Sequence, residues 1–521
     1  MNNIRVKNIR SLVDTGTVEL SPLTMLLGRN SSGKSTFLRL FPLFKQSWNS
    51  KNRGALALYG DFVDFGDFNS LKNSFSKSNS VDLCFDINIS PNMRRAYMLE
   101  NQAVASNFIC SCELKIKKMP YEEFLYCSEI KLKIRENLFS MSISDNGNIE
   151  YFAVNNSNFA DWLQNALAFY DARSMSFPFF KDKENKMPKM RGYPYELNFF
   201  IKPAASMLKD VFKSDIENTT FDNDFYFYLL NIIDTLPYAS KEVYLKMLAK
   251  NSIPKKISQR MIELLNDPEK GDLFHSMILF AMFPSLLENI RMHLFAMSQN
   301  IFYSKPLRAN AERYYRSQSL AVGDISPDGS NLVSYITNMS YAEKNSFENW
   351  TFENFGFRIK IHEIEGHRSI YLNERQSNNE YNVTDMGFGF SQVIPIITQL
   401  WDIVTKSSNR SSRCRNFIYA IEQPELHLHP ALQAKTLKLF TEIIKTAKSN
   451  KIDLKIIMET HSETMINYLG KLICNKFISH NDISILVFDK MSPEAPTTIR
   501  SSCYDENGVL ENWPFGFFNA E

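Results

Sequence analysis

The segment at residues 28–36 constrains the fold of this chain more than any other part of the sequence. It reads GRNSSGKST, the spacing of a loop that binds phosphate through main-chain N–H groups. The apolar run at 23–27 before it predicts a buried strand, and residues 37–41 after it predict the start of a helix. A strand, a glycine-containing loop and a helix in this order predict an α/β fold.

Each residue type in this loop has a chemical reason to be there. Two glycines let the main chain curl so that successive N–H groups point at a β-phosphate, and the following helix adds positive potential. Lys34 would reach the β- and γ-phosphate oxygens, and Ser35 would offer its hydroxyl to Mg²⁺. A glycine- and serine-rich turn with an incidental lysine is the alternative. The predicted contacts to a nucleotide are Asn30, Ser31, Ser32, Gly33, Lys34, Ser35 and Thr36.

Composition limits the class of protein and its compartment. The chain has 521 residues, 44% hydrophobic and 22% charged, enough for two or three domains with hydrophobic cores. Its seven cysteines include no C-x-x-C pair, which argues against a disulfide framework or a zinc site. The formal net charge of +2 predicts no overall basic field of the kind that nucleic-acid binders carry. The N-terminus shows no apolar signal core, so a cytoplasmic location is expected.

Hydrophobic spacing divides the chain into three predicted regions. Residues 1–154 hold the phosphate loop and short alternating segments, and are predicted to form a strand-rich N-terminal lobe. Longer apolar spacing over 155–300 predicts an inserted helical domain. Its most apolar stretch, 276–297, contains Glu288 and Arg291 and is therefore expected to be buried in the protein rather than to cross a membrane. Residues 301–521 are predicted to form a C-terminal lobe, in which strands alternate with helices from Ser391 onward as a parallel sheet requires.

A basic and aromatic cluster stands out inside the predicted insertion. A solvated surface loop is the simpler interpretation, and contact with a partner or a nucleic acid is the alternative. Its members are Lys181, Lys183, Lys186, Lys189, Arg191, Tyr193 and Tyr195.

The second half of the chain supplies the acidic and histidine residues that a phosphate loop needs. An apolar strand at 417–421 ends in Glu422, the place where an NTPase puts the carboxylate that holds Mg²⁺. Ser35 and Glu422 are therefore the predicted metal contacts. A second predicted strand at 454–458 is followed closely by His461, which would contact a γ-phosphate. A lone histidine is more often structural.

Two glycines precede a serine in the stretch DMGFGFSQ at 385–392. A predicted helix at 393–404 follows, so the helix N-terminus would form a second anion-binding site. A helix simply capped by Ser391 is the alternative. The residues assigned to the second site are Gly387, Gly389, Ser391 and Gln392.

These motifs, in this order, resemble the ABC-type ATPases of the SMC, RecF and OLD-like class. The resemblance rests on the phosphate loop, the GxGxSQ signature, IEQPELHLHP at 421–430 and ETHSE at 459–463. It covers roughly residues 1–120 and 300–521. More narrowly, PLR at 306–308, with Arg313 and Tyr314, and the ending at 507–518 resemble the Septu-type ATPases of bacterial anti-phage systems, including the retron-associated form.

The resemblance implies an ABC-type P-loop ATPase head with an inserted, mainly helical domain. It implies a homodimer or higher oligomer that closes head to tail, so that ATP on Lys34 of one copy is capped by Ser391 of the other. His461 would be the switch residue that touches the γ-phosphate. The implied partners are an HNH-type nuclease and, in some systems, a reverse transcriptase with its RNA–DNA product, with no membrane involved.

One position departs from the pattern of that class. The residue after the Mg²⁺ carboxylate is usually a glutamate that polarises the attacking water, and here it is Gln423, which has no useful basicity. Hydrolysis of ATP is therefore expected to be slow, or to depend on Glu425 or His429. The predicted catalytic set is Lys34, Glu422, Gln423, Glu425 and His461.

Two other functions remain open from the sequence. An OLD-like nuclease would need a Toprim domain, but about sixty residues follow His461, and Asp489, Asp505 and Glu506 lack its metal-binding pattern. A RecF-like DNA-repair ATPase would bind DNA across an ATP-closed dimer, which the near-neutral charge disfavours. Neighbouring genes would separate the alternatives, since a nuclease or reverse transcriptase favours defence and a replication cluster favours repair.

Overall fold

The computed structural model describes most of the chain in two compact units. The first unit comprises Met1–Ile9, Ser47–Leu58 and Phe65–Ala296, and the second comprises Arg10–Gln46, Tyr59–Asp64 and Met297–Glu521. The strand-rich and helical regions that the sequence separates at residue 154 both fall largely in the first unit. The described residues are 1–49, 53–89, 107–120, 122–183, 197–212, 229, 232–233, 236–249, 255–316, 322–374, 379–409, 415–492 and 495–513.

Strands and helices are numbered in chain order along these residues. The strands are β1 (Asn3–Ile9), β2 (Leu12–Asp14), β3 (Val18–Glu19), β4 (Leu23–Gly28), β5 (Val81–Ile89), β6 (Phe108–Lys118), β7 (Leu125–Ile134), β8 (Asn137–Ile143), β9 (Ile149–Val154), β10 (Ser157–Asn158), β11 (Ala166–Phe169), β12 (Phe179–Asp182), β13 (Ile301–Ser304), β14 (Tyr315–Arg316), β15 (Phe357–Ile364), β16 (His367–Glu374), β17 (Glu380–Asn382), β18 (Asn416–Glu422), β19 (Asp453–Glu459), β20 (Ile483–Asp489), β21 (Thr498–Tyr504) and β22 (Leu510–Glu511). The helices are α1 (Lys34–Leu38), α2 (Leu40–Asn49), α3 (Phe68–Leu71), α4 (Leu197–Phe212), α5 (Lys241–Leu248), α6 (Lys255–Asn266), α7 (Gly271–Gln299), α8 (Leu332–Asn338), α9 (Tyr341–Phe355), α10 (Phe388–Asn409), α11 (Pro430–Ser449) and α12 (Glu463–Cys474). Short 3₁₀ turns lie at Ala160–Leu163, Val383–Asp385 and His480–Asp482.

The first unit is built on an antiparallel sheet. Its strands follow the order β10, β9, β8, β7, β6, β5, β1. Alternate residues of β5 and β8 are buried, which is the pattern of a sheet with one face against a core. Aromatic rings join that face to α7, since Phe152 of β9 lies 5.0 Å from Phe280 and 4.7 Å from Phe283 between ring centroids.

Helix α7 contains the apolar stretch that the sequence predicts to be buried. By length and composition it is the one helix of the described residues that could cross a membrane. However, 83% of its most apolar 18-residue window is buried inside the protein. Polar residues inside the helix find local partners: Arg291 donates to Glu288 and to the carbonyl of Pro178.

The second unit is built on a mainly parallel sheet, as the sequence predicts. Strands β13, β18, β19, β4 and β20 run parallel in that order, and β21 and β22 extend the sheet antiparallel. All six residues of β4 are buried, as expected for a parallel strand with both faces covered. One hydrophobic core joins these strands to α10, α11 and α12. A smaller sheet of β14 to β17 also belongs to this unit.

The order of the parallel strands brings three predicted motifs to one edge. Glu422 at the end of β18 is the register partner of Glu459 at the end of β19, and Glu459 is the partner of Leu26 in β4. Gly28, the first loop residue, is the partner of Phe488 in β20. Because ligands of open α/β sheets bind beyond the carboxyl ends of the strands, this edge is the expected place for a site.

Candidate functional site

The phosphate loop needs both of its glycines. Gly28 has a φ of 147° and Gly33 a φ of 97°, which side-chain-bearing residues rarely adopt. A Cβ on Gly28 would lie 2.3 Å from the carbonyl oxygen of Phe488, and a Cβ on Gly33 would lie 2.6 Å from Ser11 Oγ. The loop therefore packs closely against the neighbouring strand β20 and against the turn at Ser11.

The Lys34 side chain is folded under this loop. Its ammonium donates to the carbonyl oxygens of Gly28 at 2.9 Å and Arg29 at 2.8 Å, and its side chain is only 3% exposed. Glu459 Oε1 lies 3.7 Å from the ammonium. Burial lowers the pKa of Lys34, and the charge of Glu459 opposes that shift. Lys34 thus forms a buried positive centre inside the loop.

The other predicted loop contacts differ in accessibility. Asn30 and Ser31 are exposed, and Ser31 has a φ of 60°, while Ser32 and Thr36 are buried. The Ser32 hydroxyl has no hydrogen-bond partner among the described residues, and the Ser32 carbonyl accepts from the Thr497 hydroxyl at 2.9 Å. Helix α1 begins at Lys34, directly after Gly33, so its first N–H groups belong to the loop.

Ser35 contacts a different carboxylate from the one predicted. Its hydroxyl donates to Glu459 Oε2 at 2.6 Å, whereas the sequence predicts that it shares a metal with Glu422. Burial raises the pKa of Glu459, although the Ser35 hydroxyl and Lys34 act in the opposite direction. Sequence reasoning missed Glu459, even though it ends an apolar strand in the same way as Glu422.

Glu422 is held by two residues that the sequence analysis did not single out. Arg39, at the end of α1, donates from Nε to Oε1 at 2.6 Å and from Nη2 to Oε2 at 2.9 Å. The Tyr303 hydroxyl of β13 donates to Oε1 at 2.6 Å. The hydrogen bond with Glu422 raises the pKa of Arg39, and burial raises the pKa of Tyr303. Glu422 is therefore a buried carboxylate that is paired with Arg39, whose side chain is 34% exposed, and hydrogen-bonded to Tyr303.

Gln423, Glu425 and His461 lie together after the two strand ends. The N–H of Gln423 donates to the carbonyl of Glu459 at 2.9 Å, and its φ of 43° is in the left-handed region. Glu425 Oε1 accepts from the N–H of His461 at 2.7 Å. The His461 ring is 37% exposed, and burial, followed by the charge of Lys34, lowers its pKa. Backbone strain of this kind concentrates at functional sites.

His429 has a structural role in this region. It is exposed, and it caps α11 by accepting from the N–H of Ala431 at 3.3 Å through Nδ1.

The GxGxSQ stretch forms the start of α10, earlier than predicted. The helix begins at Phe388 rather than at residue 393, so Ser391 lies in the first turn and does not cap it. The Ser391 hydroxyl donates to the carbonyl of Phe388 at 2.6 Å and is mostly buried. Gly387 and Phe388 are exposed. A Cβ on Gly389 would lie 2.9 Å from the carbonyl of His427, so a glycine is needed there for close packing.

Gln392 is buried and anchors the segment that follows β13. Its amide exchanges two hydrogen bonds with the main chain of Arg308, each 3.2 Å long. Arg308 is 4% exposed and donates from Nη2 to the carbonyl of Glu422 at 3.0 Å. Its Nε and Nη1 atoms have no partner among the described residues. Burial lowers the pKa of Arg308. Gln392 therefore fixes the segment after β13 to α10 and does not face solvent.

Most of the predicted basic loop lies outside the described residues, which omit 184–196. Of the two members that are described, Lys183 donates to the carbonyl of Gln164 at 2.7 Å. Lys181 lies over the ring of Phe169, 5.5 Å from its centroid. Both lysines thus make local contacts.

The loop, the two carboxylates and the histidine have the arrangement expected of a P-loop ATPase. The sequence matches the AAA ATPase domain family over residues 1–466, which is most of the chain. The chain belongs to this family. Membership of the AAA ATPase domain family implies binding and hydrolysis of a nucleotide, usually with Mg²⁺. The predicted fold class, an α/β P-loop ATPase, is confirmed.

Other similarities of this AAA ATPase domain are shorter or more distant. A segment of 97 residues is 29% identical to the endonuclease GajA of Bacillus cereus (strain HuB5-5), covering 18% of this chain and 14% of GajA. The chain thus matches about one seventh of that relative. Two solved structures, each 10% identical, align over 96% of this chain and 97% of their own. They are the SMC head domain from Thermotoga maritima, with a TM-score of 0.33, and the recombination mediator protein RecF-ATPrS of the RecFOR pathway, with 0.29. TM-scores this low support no conclusion about function.

Proposed function

We propose that this chain binds ATP at residues 28–36 and hydrolyses it slowly as an ABC-type ATPase head in a bacterial anti-phage system. The position of Lys34 is the main observation that supports a nucleotide site here. Its buried ammonium donates to two loop carbonyls. These lie at the edge of the sheet where strands β18 and β19 end in Glu422 and Glu459. A lysine in this place acts as a point charge for the β- and γ-phosphates, beside the N–H groups of α1.

The residues beside Lys34 fit a divalent cation. The Ser35 hydroxyl and the carboxylates of Glu422 and Glu459 are hard oxygen ligands, the type that Mg²⁺ prefers. No group of three or more His, Cys, Asp or Glu side chains suited to a metal occurs in the described part of the chain. A cation bound here together with a nucleotide would take one or two protein ligands and complete its shell with water and phosphate. When bound, Mg²⁺ would neutralise phosphate charge.

Slow hydrolysis is proposed because Gln423 occupies the usual place of the general base. A neutral amide orients water by hydrogen bonding but cannot accept its proton. Glu425 is the nearest alternative, since one of its oxygens is bonded to the His461 N–H and the other is buried without a partner among the described residues. The proposed roles are water orientation by Gln423, a secondary base in Glu425, and γ-phosphate contact by His461.

Dimer closure around ATP is supported by the start of α10. Gly387 and Phe388 are exposed there, and nothing lies within 4 Å of a Cβ placed on Gly387. The exposed main chain of these residues would face the nucleotide of a second copy. The Ser391 hydroxyl is bonded within its own helix, so its proposed part is to hold the first turn in shape.

The last part of the proposal is that the chain acts with a nuclease partner in the cytoplasm. The support is the Septu-like motif resemblance, including the segment at 306–308, and a short likeness to a protein named an endonuclease. We propose an HNH-type nuclease, with a reverse transcriptase and its RNA–DNA product in retron-associated systems. Co-purification of tagged protein with the product of a neighbouring nuclease gene, with and without ATP, tests this. Metal-dependent plasmid cleavage by the chain alone would instead favour an OLD-like nuclease.

Calorimetric titration with ATP tests the nucleotide site itself. Lys34→Met should abolish binding because it removes the cation placed on the phosphates. Lys45→Met is the matched control, since Lys45 is also buried and donates to a main-chain carbonyl, that of Ile301 at 2.8 Å. That variant should lose stability but keep its affinity for ATP. Unchanged ATP affinity in Lys34→Met would refute the site.

A further inference from the structure

The two glutamates at the strand ends lie at different distances from the phosphate loop. Strand β19, which ends in Glu459, is hydrogen-bonded directly to β4, the strand that leads into the loop. Strand β18, which ends in Glu422, is separated from β4 by β19. Since neighbouring strands are about 4.8 Å apart, Glu422 stands about one strand spacing further from the loop strand.

The carboxylate of Glu422 is already satisfied by strong donors. Arg39 binds it through two parallel N–H···O bonds, and Tyr303 adds a third bond to Oε1. Charge-assisted, bidentate bonds of this kind are roughly twice as strong as bonds between neutral groups. A cation that bound Glu422 directly would have to displace Arg39 or share the carboxylate with it.

The carboxylate of Glu459 is bonded less strongly than that of Glu422, and its neighbour is Ser35, the other predicted metal ligand. Its Oε2 accepts from the Ser35 hydroxyl at 2.6 Å, a neutral donor, and its Oε1 lies 3.7 Å from the Lys34 ammonium. Two adjacent oxygen ligands of octahedral Mg²⁺ lie about 2.9 Å apart, given metal–oxygen distances of 2.0–2.1 Å. The Ser35 and Glu459 oxygens therefore need to separate by only a few tenths of an ångström. Glu459 is also 4% exposed, so few water molecules compete for its carboxylate.

We infer that Glu459, rather than Glu422, is the carboxylate that binds Mg²⁺ together with Ser35. Glu422 instead anchors Arg39 and Tyr303, and so fixes the end of α1 to β13 and β18. The inference rests on the proposed function, because the cation would be bound together with the nucleotide.

Mn²⁺ is a suitable probe because its binding is measured without turnover. The parent chain, Glu459→Gln and Glu422→Gln are titrated with Mn²⁺ in the presence of ADP, and free Mn²⁺ is followed by electron paramagnetic resonance. Glu459→Gln keeps an oxygen to accept the Ser35 hydrogen bond, so that mainly the charge is lost. Glu463→Gln is the matched control, an exposed glutamate four positions further along. Thermal melting checks that each variant is folded.

We expect Glu459→Gln to weaken Mn²⁺ binding at least about 10–100-fold, the range seen when even an outer-shell partner of a metal is removed. Glu422→Gln and Glu463→Gln should bind Mn²⁺ as the parent does. Retained Mn²⁺ affinity in Glu459→Gln, or an equal loss in folded Glu422→Gln, would overturn the inference. Should Glu459→Gln not fold, Glu459→Asp replaces it, and its shorter side chain should also weaken Mn²⁺ binding.

Calorimetry with ATP in EDTA separates this inference from the proposed function. If the parent chain binds ATP without metal and Lys34→Met does not, the nucleotide site stands whatever the Mn²⁺ result. If the parent binds neither ATP in EDTA nor ADP with Mn²⁺, the proposed nucleotide site itself is refuted.

Discussion

The carboxylate of Glu425 accepts a hydrogen bond from the main-chain N–H of His461 at 2.7 Å. This bond links the segment after β18 to the segment after β19, where the predicted base and the predicted switch residue lie. Burial raises the pKa of Glu425 above its ordinary value of 4.5, and its second oxygen is buried without a partner among the described residues. Glu425 is thus a carboxylate with a raised pKa and one oxygen unbonded within the described part of the chain, and it lies beside His461, the residue expected to contact the γ-phosphate.

The pKa shift of Glu425 predicts a pH-dependent gain in stability for Glu425→Gln. A raised folded-state pKa means that ionising Glu425 disfavours the folded state, so the parent loses stability as pH rises from about 4.5 through the raised value. The glutamine variant does not pay this cost. Its melting temperature should rise relative to the parent between pH 4 and pH 8. A difference that is constant with pH, or that shrinks as pH rises, would contradict the assignment.

Gln423→Glu should accelerate hydrolysis of ATP. General-base catalysis contributes roughly 10²–10⁴-fold, so the parent is expected to turn over well below ~1 s⁻¹ and the variant faster. The substitution keeps side-chain size, and the left-handed backbone at this position is uncommon for glutamine and glutamate alike. Single-turnover hydrolysis by the two proteins is the measurement. Fast hydrolysis by the parent that is lost in Glu425→Gln would identify Glu425 as the base and reject slow turnover.

Arg308→Met should leave stability unchanged within about 1 kcal/mol, or increase it, because it removes the desolvation cost of a buried guanidinium whose one side-chain hydrogen bond among the described residues is to the Glu422 carbonyl. The unpartnered Nε and Nη1 atoms of Arg308 make that outcome more favourable. Gln392→Leu is the contrast, since it removes both hydrogen bonds to the Arg308 main chain and should cost about 1–3 kcal/mol. Urea denaturation measures both. A loss of several kcal/mol in Arg308→Met would mean that its charge is paired in solution.

Phe388→Glu should block ATP-dependent dimerisation without weakening binding of ATP to the monomer. Phe388 is 43% exposed at the start of α10, so a carboxylate there would repel the phosphates of a nucleotide held by a second copy. Tyr341→Glu is the matched control, because it places the same charge at the exposed start of α9. Light scattering with and without ATP compares the two. Equal dimerisation of both variants would argue against a role of α10 in closure.

Local sequence determined the parts of this protein that depend on neighbouring residues. The loop at 28–36, the strand before it and the helix after it follow from glycine spacing and from a continuous apolar run, both of which act within one turn or strand. The alternation of strands and helices from residue 391 predicted the parallel sheet for the same reason. The start of α10 was predicted too late, because Gly387, Phe388 and Gly389 read as a loop until Gly389 is packed against His427.

Only the tertiary structure decided which side chains meet at the loop. Ser35 and Glu459 are 424 positions apart, and their contact depends on β19 lying between β18 and β4. The sequence assigned the Mg²⁺ contact to Glu422, but only the structure shows that Ser35 bonds to Glu459 and that Arg39 and Tyr303 bond to Glu422. Strand order is set by the packing of a whole sheet, which no local pattern encodes.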